Sequence, residues 1–178
     1  MADSRIAISY LHTNVTNRCF LLLILLVTLT ACGFQLRGEQ VLPFAAIAVS
    51  GDAASPLTAQ LRQAVAAVPR TRLAVTPAAS DAELQIVRVS QDRIITALSA
   101  AGRVREYELR LQVTYRLVDK QRDELIPTSE ILLFRLLPYD ESQVLSKGEE
   151  EALLYRDMLN DAVAQIMRRI AAVKPPRT

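Results

Sequence analysis

Residues 104–117 alternate between apolar and polar side chains, a two-residue period that an extended strand turns into two distinct faces. Tyr107, Leu109, Leu111, Val113, Tyr115 and Leu117 fall on one side, and Glu106, Glu108, Arg110, Gln112, Thr114 and Arg116 on the other. At about 3.3 Å per residue this strand extends roughly 46 Å, well beyond an average strand. One face must be core and the other wet. The chain therefore needs a second layer, and on one side only.

The flanking segments supply sheet and cover. Residues 83–98 are rich in β-formers, but Ile86-Val87 and Ile94-Ile95 break their alternation, which predicts a bulge or two-sided burial. Residues 100–102 provide the intervening turn, and 119–123 a second, polar turn. The apolar run in 129–137, stopped by Pro138, predicts a central strand buried on both faces. Residues 45–50 and 72–76 predict two short strands, with a loop at 77–81.

Two segments carry helical spacing. After Ser55-Pro56, suited to an N-cap and a first helical position, Leu57, Leu61, Ala64, Val65 and Val68 share a face that Pro69 ends. Residues 149–172 predict a long helix with Leu154, Met158, Ala162, Ile166 and Ile170 as its stripe. Ser146 and Glu149 have capping-box spacing, and acidic residues open this helix while Arg168 and Arg169 close it, as its dipole favours. The expected fold class is α+β. It is a two-layer sandwich, with two amphipathic helices packed on one face of a roughly four-stranded, mainly antiparallel sheet.

The N-terminus carries a different signal. Leu29-Thr30-Ala31-Cys32 reads as a lipobox, closing an apolar run that starts at Phe20 and follows Arg5 and Arg18. That run fits the roughly 7–15 residues of a signal-peptide core and falls short of the roughly 18 of a spanning helix. The expected organisation is a signal peptide over 1–31, a tether over 32–43 lipidated at Cys32, a folded domain over 44–173 and a loose tail over 174–178. An uncleaved membrane anchor is the alternative; the short run and the small residue before Cys32 argue against it.

Removal of that segment eliminates much chemistry. His12, the one histidine, is lost; of the two cysteines Cys19 is discarded and Cys32 is spent on lipid. The mature chain then has no imidazole and no free thiol, which excludes ordinary zinc sites, Ser-His and Cys-His nucleophiles and disulfides. No phosphate-loop, dinucleotide or calcium-loop pattern occurs. A carboxylate-only enzyme would need paired acids in a cleft, which the pattern does not offer. We expect no enzyme, no cofactor beyond the lipid on Cys32, and no metal. The formal charge of +2 and the lack of Trp also argue against a nucleic-acid partner.

Five short motifs follow one another along the chain: Cys32-Gly33-Phe34-Gln35-Leu36-Arg37-Gly38, Gly102-Arg103-Val104-Arg105-Glu106-Tyr107, Val144-Leu145-Ser146-Lys147, Asp157-Met158-Leu159 and Gln165-Ile166-Met167-Arg168-Arg169. In that order they resemble the LptE family of lipopolysaccharide-assembly lipoproteins. The resemblance implies two helices on a four-stranded sheet. It also implies a role: an outer-membrane lipoprotein that plugs the β-barrel LptD, assists its assembly and binds lipopolysaccharide. Gly33, where aspartate would signal inner-membrane retention, is consistent with that location. Some members carry a basic residue just before the hairpin glycine; this chain has Ala100 there, with Arg103 and Arg105 just beyond, while Lys147 matches directly.

Arg103, Arg105 and Lys147 are accordingly the candidate lipopolysaccharide contacts. Arginine presents a planar fork to phosphate and lysine a compact charge. Solubilising charges near turns are the plainer explanation, and a solvated strand face that of the polar side of 104–117. The alternative function is a free-standing envelope scaffold or peptidoglycan-binding lipoprotein.

Overall fold

The computed structural model describes residues 41–174. The expected signal segment 1–31, the expected lipidation site Cys32, residues 33–40 of the expected tether and residues 175–178 of the expected tail lie outside the described residues. Strand β1 (Ala46–Ser50) leads through α1 (Pro56–Ala66) to β2 (Arg72–Ala74). A 3-10 turn at Pro77–Ala79 then precedes three long strands, β3 (Ala82–Leu98), β4 (Val104–Asp119) and β5 (Glu124–Pro138). A second such turn, Glu141–Gln143, delivers the chain into α2 (Val144–Ala171).

The strands form one sheet in the order β2-β1-β3-β4-β5. β1 runs parallel to β2 and β3, and the longer β3–β4 and β4–β5 pairings are antiparallel. The sheet has five strands rather than roughly four. α1 carries the chain back beside β1, so that even the three residues of β2 find parallel partners, a small βαβ unit.

The alternating segment behaves as its pattern demands. Leu109, Leu111, Val113, Tyr115 and Leu117 of β4 are fully buried, and they share one core with Leu57, Leu61 and Val65 of α1 and Met158, Ala162, Ile166 and Ile170 of α2. Leu42 and Phe44, just ahead of β1, are buried in the same core. The Tyr115 hydroxyl, placed among hydrocarbon, accepts a hydrogen bond from Arg169 Nη1 at 3.1 Å, which avoids the cost of a stranded polar atom. Both breaks in the β3 pattern are register shifts, between Ile86 and Arg88 and between Ile95 and Ala97. Val87, the extra residue of the first, is turned out to solvent. Nearby, Gly51 passes so close to β3 that an added Cβ would lie 2.9 Å from Ile86 Cβ, so only glycine fits.

Two expectations are corrected. Among the described residues β5 is an edge strand with β4 as its sole partner, not a central one. Ile131 and Leu137 are buried under α2, whereas Leu132, Phe134 and Leu136 on the opposite face are more than half exposed. An apolar run records that both faces are mostly hydrocarbon; what covers each face depends on helices elsewhere in the chain. Pro127 sits at the register break between β4 and β5, a place for proline that an edge strand tolerates.

The second correction concerns α2, which starts at Val144 rather than 149, so the Ser146–Glu149 capping box does not form. Asp140 has already capped the preceding 3-10 turn, accepting from Ser142 N at 2.9 Å and from Ser142 Oγ at 2.8 Å, and the turn runs on into the helix. Ser146 is thereby internal and its hydroxyl donates back to the Gln143 carbonyl at 3.0 Å. Likewise Ser55 occupies the N-cap position of α1, but its side chain makes no cap bond.

Leu111→Ala should cost about 2–5 kcal/mol in urea unfolding. Leu132→Ala, on the uncovered side of β5, should cost about 1 kcal/mol or less. A second expectation concerns Asp81, which joins the start of β1 to the β4–β5 turn. Its Oδ2 accepts from Ala46 N and its Oδ1 pairs with Lys120 Nζ, each at 2.9 Å. The hydrogen bond from Lys120, then the one from Ala46, hold its carboxyl below the ordinary value of 3.8. A carboxyl lowered in the folded state stabilises above its unfolded pKa and loses that contribution as pH falls through the folded one. Asp81→Asn should therefore lower the thermal midpoint at neutral pH, and the gap from wild type should close as the solution is acidified below 3.8.

Candidate functional site

The β3–β4 hairpin ends in a turn that presents Arg103. Ser99 N donates to the Arg103 carbonyl at 2.7 Å, Gly102 N to the Ser99 carbonyl at 2.9 Å, and Arg103 N to Ser99 Oγ at 3.1 Å. Gly102 has φ +75°, a left-handed turn conformation that glycine adopts without a Cβ clash. Arg103 is exposed, and so is Ala100 on the other side of the turn. Arg105 follows as an exposed residue of β4. Neither arginine has an ion-pair partner among the described residues.

Lys147 arrives from the other end of the sequence. It lies in the first turn of α2, with its side chain only 16% exposed and Nζ 2.7 Å from Glu150 Oε2. An anion reaching Lys147 must compete with that carboxylate. Lys147 and Arg105 nevertheless act on one neighbourhood. Asp140 is held below the usual carboxylate range chiefly by its hydrogen bonds from Ser142, and then by the positive charges of Arg105 and Lys147. Backbone pairing sets Arg105 beside Tyr139, from which Asp140 and a short turn lead into the helix that carries Lys147; Arg103 lies at the hairpin tip.

What joins the two segments was not foreseen in the sequence. Tyr139 N donates to the Arg105 carbonyl at 2.8 Å, continuing the β4–β5 ladder past Pro138. The Tyr107 and Tyr139 rings meet edge to face with centroids 5.0 Å apart, and the Arg93 guanidinium lies 4.6 Å from the Tyr107 centroid. Arg93 Nη1 also pairs with Glu151 of α2 at 2.9 Å, and Tyr155 donates to the Asp92 carbonyl at 2.8 Å. Glu151 raises the Arg93 pKa, and burial raises that of Tyr155. The one available signal was Arg93 itself, a charge paired in register with core-facing Leu109.

Exposed aliphatic side chains occur on the same hairpin and helix start as these cations. Leu145 and Val144, in the same helical turn as Lys147, are 89% and 55% exposed, and Ile95 and Leu98 on the hairpin are each more than half exposed. Unpaired guanidinium groups next to bare hydrocarbon suit an amphiphile with an anionic head. The arrangement has no nucleophile-and-base geometry. Among the described residues no group of His, Cys, Asp or Glu is placed to hold a metal, and no helix is long and apolar enough to cross a membrane. A cleft of about 540 Å³ between α1 and α2, lined by Gln60, Gln91, Tyr155 and Leu159 among others, contains none of the three candidate cations.

Arg93→Ala should change global stability by no more than about 1 kcal/mol, since the pair and the ring contact are largely exposed. It should nevertheless accelerate hydrogen exchange at the Tyr139 amide. Unchanged exchange there would show that Arg93 does not hold the two segments together.

Comparison with known proteins bears on the whole described region. The profile of the LptE family, described as lipopolysaccharide-assembly, matches residues 44–170. Among solved structures, an uncharacterized lipoprotein B from Nitrosomonas europaea is similar at 38% identity with a TM-score of 0.69, over 79% of this chain and 91% of that one. Rare lipoprotein B from Shewanella oneidensis shares the fold at 23% identity and TM-score 0.61, over 71% of this chain and 94% of that one. A minor lipoprotein from Acinetobacter baumannii does so at 20% and 0.60, over 78% and 100%. No curated protein matches the chain.

Proposed function

The chain belongs to the LptE lipopolysaccharide-assembly family, and from that premise we propose that it is an outer-membrane lipoprotein that plugs the β-barrel LptD, assists its assembly and binds lipopolysaccharide. The observation that carries this reading is the hydrogen bond from Tyr139 N to the Arg105 carbonyl, 2.8 Å, which sets exposed Arg105 beside the short segment leading into the start of α2, where Lys147 lies with exposed Val144 and Leu145. Lipid A offers phosphates and acyl chains in one molecule. The arginines at the hairpin, free of ion pairs among the described residues, meet the phosphates; Lys147 joins them when an anion displaces Glu150.

The plug role draws on shape and polarity. The uncovered face of β4 carries Glu108, Arg110, Gln112 and Thr114, with Glu108 and Arg110 paired to each other. Such a face, with both signs of charge interspersed, is compatible with the polar lumen of a large outer-membrane barrel. Attachment rests on Cys32: one acyl chain gives only reversible membrane binding, whereas a diacylglyceryl group plus an amide-linked chain anchors stably. No catalytic step, metal or cofactor enters this reading.

The test uses the lipidated chain in its own envelope and purified in detergent. Affinity purification should recover a large β-barrel in stoichiometric amount, and Cys32→Ala should release the folded domain from the membrane when the barrel is absent. Arg105→Ala combined with Lys147→Ala should weaken lipopolysaccharide binding by about tenfold or more, as loss of two charge-assisted contacts implies. Recovery with cell-wall fragments and no barrel, together with glycolipid binding indifferent to both substitutions, would sink the proposal in favour of a cell-wall-bound scaffold.

A further inference from the structure

Gly148 has no local reason to be glycine. It is the fifth residue of α2, and its φ is not positive, unlike those of Gly51 and Gly102. A Cβ built on it would meet nothing within 4 Å, so neither a turn nor a close approach demands its absence. Glycine at such a position leaves a helix several-fold easier to open than alanine would.

The flanking contacts define what would open. Upstream, the chain is fastened at Tyr139, whose amide donates to the Arg105 carbonyl at 2.8 Å. Downstream, α2 is fastened to β3 by Glu151, paired with Arg93 at 2.9 Å, and by Tyr155, which donates to the Asp92 carbonyl at 2.8 Å. Between these points residues 141–146 are all exposed. Among the described residues, the side-chain hydrogen bonds of residues 144–147 reach no further than Gln143 and Glu150. The first turn of α2 is therefore a strap between two fixed points, with Gly148 at its downstream end.

Lys147 is the residue that this strap controls. Its side chain is 16% exposed and paired with Glu150, three positions on. In a closed helical turn residues three apart share a face, so Glu150 stays within reach of the lysine. Opening the turn at Gly148 separates the two, and it carries exposed Val144 and Leu145 along with the cation.

We propose that Gly148 is a positioning residue for Lys147, a hinge at which the first turn of α2 opens to transfer the lysine from Glu150 to an anionic headgroup. This role rests on Lys147 being a lipopolysaccharide contact, and it makes the open turn the form that binds. Affinity for such a form is reduced by the fraction of molecules that populate it. A change in the opening equilibrium must then appear twice, in amide exchange and in affinity, by the same factor.

The full lipidated chain in detergent, with purified lipopolysaccharide as probe, supplies the test. Without ligand, Gly148→Ala should slow hydrogen exchange about fivefold at the amides of residues 148–151, which bond back to the carbonyls of the first turn. It should weaken lipopolysaccharide binding about fivefold as well. Moving the glycine within the turn, as Gly148→Ala with Ser146→Gly, should restore much of both. Binding that Gly148→Ala leaves unchanged while exchange slows would overturn the hinge alone. So would binding that stays weak in the double variant after its exchange has recovered, since space at position 148 would then be what matters. A wild-type chain that binds no lipopolysaccharide would overturn the hinge together with the reading of Lys147.

Discussion

The burial of one face of β4 is the constraint on which the rest depends. Leu109, Leu111, Val113, Tyr115 and Leu117 are excluded from water together, and they can be so only if the helices lie on that side. Each fully buried side chain of this size contributes on the order of 1.5–3 kcal/mol, so the seam outweighs any surface pair in the molecule. α1 and α2 touch each other over this seam, and no other described residues form a layer on the opposite face of the sheet. One-sidedness is therefore the architecture's first consequence, and the exposed surfaces discussed above follow from it.

The length of β3 and β4 is the second consequence. Two strands of 17 and 16 residues outrun the 11-residue α1, and their far end is met only by the start of α2. There the fold uses polar and aromatic contacts where elsewhere it uses hydrocarbon. Arg93 is shared between Tyr107 and Glu151, and Tyr139 caps the ladder onto Arg105. Contacts of this kind add little stability apiece. Their effect is to fasten the end of β4 that carries Arg105 to the segment that leads into the Lys147 end of α2.

Much of this was legible in the chain, and the failures are instructive. The two-residue period of β4, the helical stripes and both β3 irregularities were visible because each depends on neighbours two to four positions away. The second helix was recognised but begun five residues late, because Ser146 and Glu149 have cap spacing while Asp140, which does the capping, is set apart from the helix by a 3-10 turn. The candidate cations could be named from their types and from family motifs. That Lys147 is paired with Glu150 while Arg105 has no such partner could not be read, since it depends on rotamers in a helical turn.

β5 marks the boundary between the two kinds of knowledge. Local sequence determined that residues 129–137 are extended and mostly apolar on both sides, that β4 has a dry and a wet face, and that residues 33–178 contain no histidine or cysteine. The tertiary structure alone decided that, among the described residues, β5 lies at the edge, helices cover one of its faces and not the other, and Arg105 is tied to the segment that leads into Lys147. The division has a physical cause. Backbone conformation answers to forces between residues a few positions apart, whereas strand order and burial are set by competition among all the apolar surfaces of the chain for a limited area of cover.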